Sequence, residues 1–239
     1  MTQDRAAKPP RASSLPRESA LTLIVRSLGR ALLLAPLFLA AGRIDWGRGW
    51  LFVGLIVGGI ALNFAVMRWK NPSLIRARIE KHDNVEPFDR TFFRISVPLA
   101  LLFFVVAGLD ERYGWTSLDP RWLIAGILLQ IAGTMPILLA AATNPFMEVA
   151  VRIQEDRGHH TVRSGPYRFV RHPMYVGLLI MFAAWPLIVD SLWSYVPLAA
   201  LAAAYIVRTA LEDRTLRREL PGYEDYTKVT RYRLLPGVW

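Results

Sequence analysis

The sequence contains no cysteine. Disulfides, thiolate metal sites and a cysteine nucleophile are therefore excluded. There is also no internal repeat and no low-complexity stretch beyond the first 20 residues, which are rich in Arg, Lys, Pro and Ser and read as a mobile tail without a fold of its own. A continuous basic stripe is missing too. The net charge of +10 sits in the connections between apolar blocks, which speaks against a nucleic-acid groove and for membrane orientation and anionic lipid.

The apolar blocks are long. Hydrophobic residues make up 53% of the chain and fall in runs suited to membrane spans of about 20 residues rather than to a soluble core. Six runs are expected to span, at 21–42, 49–67, 95–109, 122–143, 174–189 and 192–207, giving an all-α, multi-pass membrane bundle. The first is interrupted by Arg26, Ser27 and Arg30. Its basic approach and the small residues Ala40, Ala41 and Gly42 imitate a signal peptide, but the basic region is too long for a usual one. Gly54, Gly58 and Gly59 offer the second run a flat packing surface, and Asn63 and Gln130 are expected to face protein. The last two runs, separated by Asp190 and Ser191, read as a tight hairpin of about 24 Å per arm, slightly short for a bilayer core.

Charge counting supports this layout. Connections assigned to one side hold 25 of the 29 Lys and Arg residues, and the other side holds only Arg43, Arg48, Arg112 and Arg121. Cytosolic loops collect positive charge, so both termini are expected in the cytosol, of a bacterial inner membrane. The chain thus divides into the tail (1–20), a four-span region (21–143) and a region (144–239) in which the hairpin 174–207 carries a polar loop before it and a tail after it.

Chemistry concentrates in that last region. Residues 165–177 run from a Gly-Pro turn through Tyr167, Arg171 and His172 into a helix opened by Pro173 and followed by Met174 and Tyr175. Taken singly, these residues read as an interfacial belt. At the end of the last run, Arg208 and Glu212 stand four apart, on one helix face. Such a pair at a membrane boundary makes more sense if it addresses ligand charges than as a surface salt bridge worth about 0.3 to 0.5 kcal/mol. His159, His160 and His172 could suggest a metal, but adjacent histidines seldom reach one ion, so none is expected. The run 223–239, with Tyr226, Arg231, Tyr232 and Arg233, reads as an interfacial anchor that also folds over the loop.

Together Tyr167, Arg171, His172, Pro173 and Tyr175 resemble the Arg-His-Pro-x-Tyr signature of the isoprenylcysteine carboxyl methyltransferase family, over about residue 144 onward. The resemblance extends to His159, Thr161, Val162, Gly165, Arg208 and Glu212. It implies that S-adenosylmethionine contacts the stretch His159, His160, Thr161 and Val162, then Gly165, Tyr167, His172, Pro173, Met174, Tyr175 and Glu212, while Arg208 faces a lipophilic or small acceptor. Arg208 and Glu212 would be the catalytic pair. Gln154 stands near a further cofactor-contacting glutamine of the family, with shifted spacing. The family's longer acidic cluster and Phe-Gly turn are replaced here by Glu212, Asp213 and then Glu219 to Tyr223.

The family's precedent is methylation of an isoprenylcysteine carboxylate, whereas similar bacterial proteins act on thiols or lipid amines. Sterol-type ene reductases, which use NADPH, also carry an Arg-His-x-x-Tyr element and a run resembling Tyr232 to Pro236. They usually have Asn where Met174 stands. A membrane scaffold without catalysis would leave His172, Arg208 and Glu212 without a purpose.

Overall fold

A computed structural model describes residues 34–79 and 85–239. The expected tail and most of the first apolar run lie outside the described residues. The regular elements are helices: α1 (Ala35–Ala41), α2 (Gly47–Lys70), α3 (Pro72–Ile79), α4 (Pro87–Tyr113), α5 (Arg121–Thr143), α6 (Pro173–Val189), α7 (Tyr195–Glu219) and α8 (Tyr223–Val229), with 3-10 turns at Glu155–Arg157 and Gly165–Arg168. Among the described residues there is no strand.

Four helices, α2, α4, α5 and α7, are long and apolar enough to cross a membrane. The chain is an integral membrane protein. With 17 residues, α6 is about 25 Å long, short of a hydrocarbon core of about 30 Å. Two helices outrun their apolar stretches at the same end of the bundle. Helix α4 begins at Pro87, which needs no amide partner in a first turn, and so carries Asp89 below the run at 95–109. Helix α7 continues past residue 207 to Glu219 because nothing breaks it before Leu220, Pro221 and Gly222, so Arg208, Glu212 and Asp213 project from a rigid extension.

Close helix contacts rest on missing side chains. A Cβ at Gly133 would lie 2.7 Å from the Gly177 carbonyl oxygen, and one at Gly177 would meet the Gly133 carbonyl, so α5 and α6 cross backbone to backbone. Gly108 of α4 likewise lies against α1, at Ala40 and the Leu37 carbonyl. Between helices, Phe52, Phe103, Phe104 and Trp185 form an aromatic core with ring centroids 5.2 to 6.3 Å apart. At the end remote from α8, buried Asp110 accepts from the Thr116 amide at 2.7 Å, the Thr116 hydroxyl at 2.8 Å and Ser191 Oγ at 2.6 Å. Asp190, at φ 62°, caps α6 and accepts from the Leu118 amide. These bonds tie the α4–α5 and α6–α7 connections together and hold the hairpin's register.

Candidate active site

The site forms where α6 begins and the extension of α7 ends. Gly165 has φ 57°, and a Cβ there would stand 2.7 Å from Thr143 Oγ1, so glycine is required to turn the chain against the end of α5. The 3-10 turn that begins there buries Tyr167, whose hydroxyl accepts from Asn144 Nδ2 at 3.0 Å. Next, the Arg171 and His172 amides donate to the carbonyls of Tyr232 and Arg233, at 2.9 and 3.0 Å. Tyr226 adds a 2.6 Å bond from its hydroxyl to the Tyr167 carbonyl, and burial pushes that phenol up to about 12, keeping it a donor. The closing segment does fold over the loop.

On α7, Glu212 accepts from the Tyr175 hydroxyl at 2.5 Å, and its other oxygen stands 3.8 Å from His172 Nδ1. The His172 and Tyr175 rings lie 15° from parallel with centroids 5.8 Å apart. Arg208 takes a partner that the sequence did not announce. Its Nε and Nη2 donate to the two oxygens of Asp89 at 2.7 and 3.1 Å, and Nη2 also reaches the Val149 carbonyl. Phe92, Phe93 and Tyr175 surround the guanidinium, 4.5 to 5.6 Å from their ring centroids.

Asp213 is the second residue missed from sequence. It is fully buried and gathers Arg171 Nε and Nη2 at 2.7 and 3.1 Å, Arg233 Nε at 2.9 Å, the Tyr223 hydroxyl at 3.1 Å and His172 Nε2 at 3.4 Å. Next to Glu212 it reads as one more acid in a cluster, and only the fold shows that one faces the cavity while the other knots loop, helix and closing segment together. Asp89 gave no signal because its partner lies 119 positions away.

The loop 144–164 frames the remaining wall. Gln154 is 1% exposed: its Nε2 donates to the Phe146 carbonyl at 2.7 Å, Arg157 Nη1 donates to its Oε1, and its amide donates to His159 Nδ1 at 3.3 Å. Its polar atoms hold the loop. Burial, then the neighbouring charges of His160, Arg152 and Arg157, depress His159 to about 4, so the ring is neutral and packs on Phe146 at 4.6 Å, tilted by 36°. His160 meets the same ring edge-on. Two bonds latch this loop to the far wall, from Thr161 Oγ1 to the Pro221 carbonyl and from Arg163 Nη2 to the Gly222 carbonyl.

The pocket is partly open to solvent, and its space counted together with that open part is about 780 Å³. Gln154, His159, His160, Thr161, Val162, Tyr167, His172, Pro173, Met174, Tyr175, Arg208 and Glu212 all line it. Gly165 does not, since it sits behind the wall as the turn that aims Tyr167. The lining suits a cationic ligand. Glu212 supplies a carboxylate whose bonded partner is a neutral tyrosine, and aromatic faces stand around it, a combination favourable to a cation. Among the described residues no group of three His, Asp or Glu side chains could hold a metal.

Comparison with known proteins points the same way as this geometry. Residues 122–221, from α5 through the extension of α7, match the phospholipid methyltransferase family. The chain is also similar to the cobalt-zinc-cadmium resistance protein CzcN of Cupriavidus metallidurans, with 30% identity over 141 residues, 59% of this chain and 62% of that protein. The similarity therefore spans less than two thirds of that relative's length. For residues 122–221, the match to the phospholipid methyltransferase family supports the resemblance to membrane methyltransferases drawn from the sequence.

Proposed function

We propose that the protein transfers the methyl group of S-adenosylmethionine to a lipophilic acceptor at the cytosolic face of a bacterial inner membrane. The observation that carries this reading is the convergence of the loop 159–162, the His172–Tyr175 signature and Glu212 on one pocket at the end of the spanning helices. S-adenosylmethionine supplies an electrophilic methyl on a sulfonium. The protein's work is to hold the reacting groups in line and exclude water, which in favourable cases lowers a barrier by about 7 to 11 kcal/mol.

Glu212, fixed by Tyr175, faces the positive charge of the cofactor, and His172 and Tyr167 bound it from either side. Thr161 and Val162, latched to Pro221 and Gly222 through Thr161 and Arg163, form the loop side of the pocket. Arg208 lies toward the apolar part of α7, where an acceptor drawn from the bilayer would enter. The carboxylate of an isoprenylcysteine-like compound is the family precedent for that acceptor, and thiols and lipid amines are its alternatives within the same fold. The charge around Arg208 bears on that choice.

Calorimetric titration of the detergent-purified protein with S-adenosylmethionine, and separately with NADPH, tests the reading. The methyl donor is expected to bind, and Glu212→Ala and His172→Ala to weaken it. Binding of NADPH instead would replace the methyltransferase reading with that of an ene reductase.

A further inference from the structure

Three arginines line the pocket among the described residues, and each already holds a carboxylate with two nitrogens. Arg152 grips Glu148 at 2.9 and 3.0 Å, Arg171 grips Asp213, and Arg208 grips Asp89. Asp89 itself is not part of the lining and stands behind Arg208, fully buried. Its oxygens fill the Nε–Nη2 edge of the guanidinium, and the Val149 carbonyl takes the other Nη2 hydrogen, so neither edge keeps both nitrogens for a two-bonded contact with a carboxylate ligand. Glu212 differs from these pairs, because its hydrogen-bonded partner is the neutral Tyr175 hydroxyl. Without a methyl donor, the group Asp89, Arg208 and Glu212 beside the acceptor entrance is therefore negative on balance, with Asp89 cancelling Arg208 and Glu212 left over.

We infer that Asp89 sets acceptor specificity: by neutralising Arg208 it makes the site select an uncharged or cationic head group and reject a carboxylate. This rests on the methyltransferase reading for its meaning, and it departs from the isoprenylcysteine precedent. Asp89 acts through Arg208 and so is a positioning residue. It also accepts from the Val151 amide at 2.9 Å, which couples the choice of acceptor to the loop that frames the cofactor wall. Asp89 lies on α4, outside residues 122–221, so the part of the chain that matches the family does not contain the residue that tunes its arginine.

A matched pair of farnesyl thioethers tests the inference, one ending in a carboxylate and one in a primary amine. Their affinities are measured by calorimetry, without methyl donor, for the full chain in phosphatidylcholine nanodiscs, with empty nanodiscs subtracted. The amine is expected to bind the parent about tenfold more tightly or better, and Asp89→Asn to shrink that ratio about tenfold by freeing Arg208. A ratio is insensitive to the folded fraction, because loss of folding lowers both affinities alike. Equal or tighter binding of the carboxylate by the parent overturns the inference, as does an Asp89→Asn ratio equal to the parent's. Should Asp89→Asn not fold, the parent's ratio decides alone. Because the donor is absent, failure of S-adenosylmethionine to bind would overturn the methyltransferase reading separately, without altering this ratio.

Discussion

Replacing Asp213 by alanine should undock the closing segment while leaving the spanning helices in place. The carboxylate is fully buried and its main partner, Arg171, is 4% exposed, so the change leaves an uncompensated buried cation at a cost of about 3 to 5 kcal/mol. The pairs with Arg233 and Arg217, whose side chains are 27% and 38% exposed, add about 1 kcal/mol or less each. Arg171 can escape this cost only by releasing the Thr230 and Arg231 carbonyls that it also holds, at 2.9 and 2.7 Å, and reaching solvent. The population with residues 223–239 detached should then rise about a hundredfold or more. Limited trypsin digestion reads this directly, since Lys228, Arg231 and Arg233 lie in the segment and cleavage follows the open population when closing is fast. Asp213→Asn keeps an acceptor oxygen and should fall between parent and alanine. Unchanged cleavage at Lys228, Arg231 and Arg233 would refute the reasoning. So would an equal rise at Arg68 to Arg78, which would signal general unfolding.

Three further outcomes are expected. Glu212→Gln should weaken S-adenosylmethionine binding by about 1.5 to 3 kcal/mol, the worth of a hydrogen bond or contact to a charged group, read by calorimetry. Gly133→Ala should destabilise the bundle by about 1 to 3 kcal/mol, since the methyl meets the Gly177 carbonyl and Met181; a thermal unfolding scan in detergent checks it, with Gly54→Ala, which meets nothing within 4 Å, as the neutral control. His159 gives a pH signature. Its folded value of about 4 lies below the ordinary 6.5, so the unfolded chain binds more protons between them; stability is complete above 6.5, falls as the pH drops toward 4, and should fall less in His159→Phe, followed by unfolding midpoints at each pH.

The membrane helices were legible because apolar runs need no partner to be recognised. Their ends were less so: α4 and α7 run on into polar sequence, and helix propensity continues there where hydropathy stops. The residues His172 and Tyr175 were found through their resemblance to a family signature and Glu212 through its spacing from Arg208, and all three line one pocket. Arg208 was found but not its partner, because a salt bridge between positions 89 and 208 leaves no trace in the spacing of either segment. Asp213 was hidden in the opposite way, by standing beside an acid of the same charge that points elsewhere. Gln154 lines the pocket, and the commitment of its side-chain amide to Phe146 and Arg157 is carried by loop geometry alone.

The hydrogen bonds from Arg171 and His172 to Tyr232 and Arg233 also divide the pocket between two parts of the chain. Residues 223–239 follow α7 in the chain, so one wall of the pocket is laid against the bundle from outside it. Packing of the spanning helices and docking of that segment are then separable sets of contacts, and the pocket is whole only when both are made.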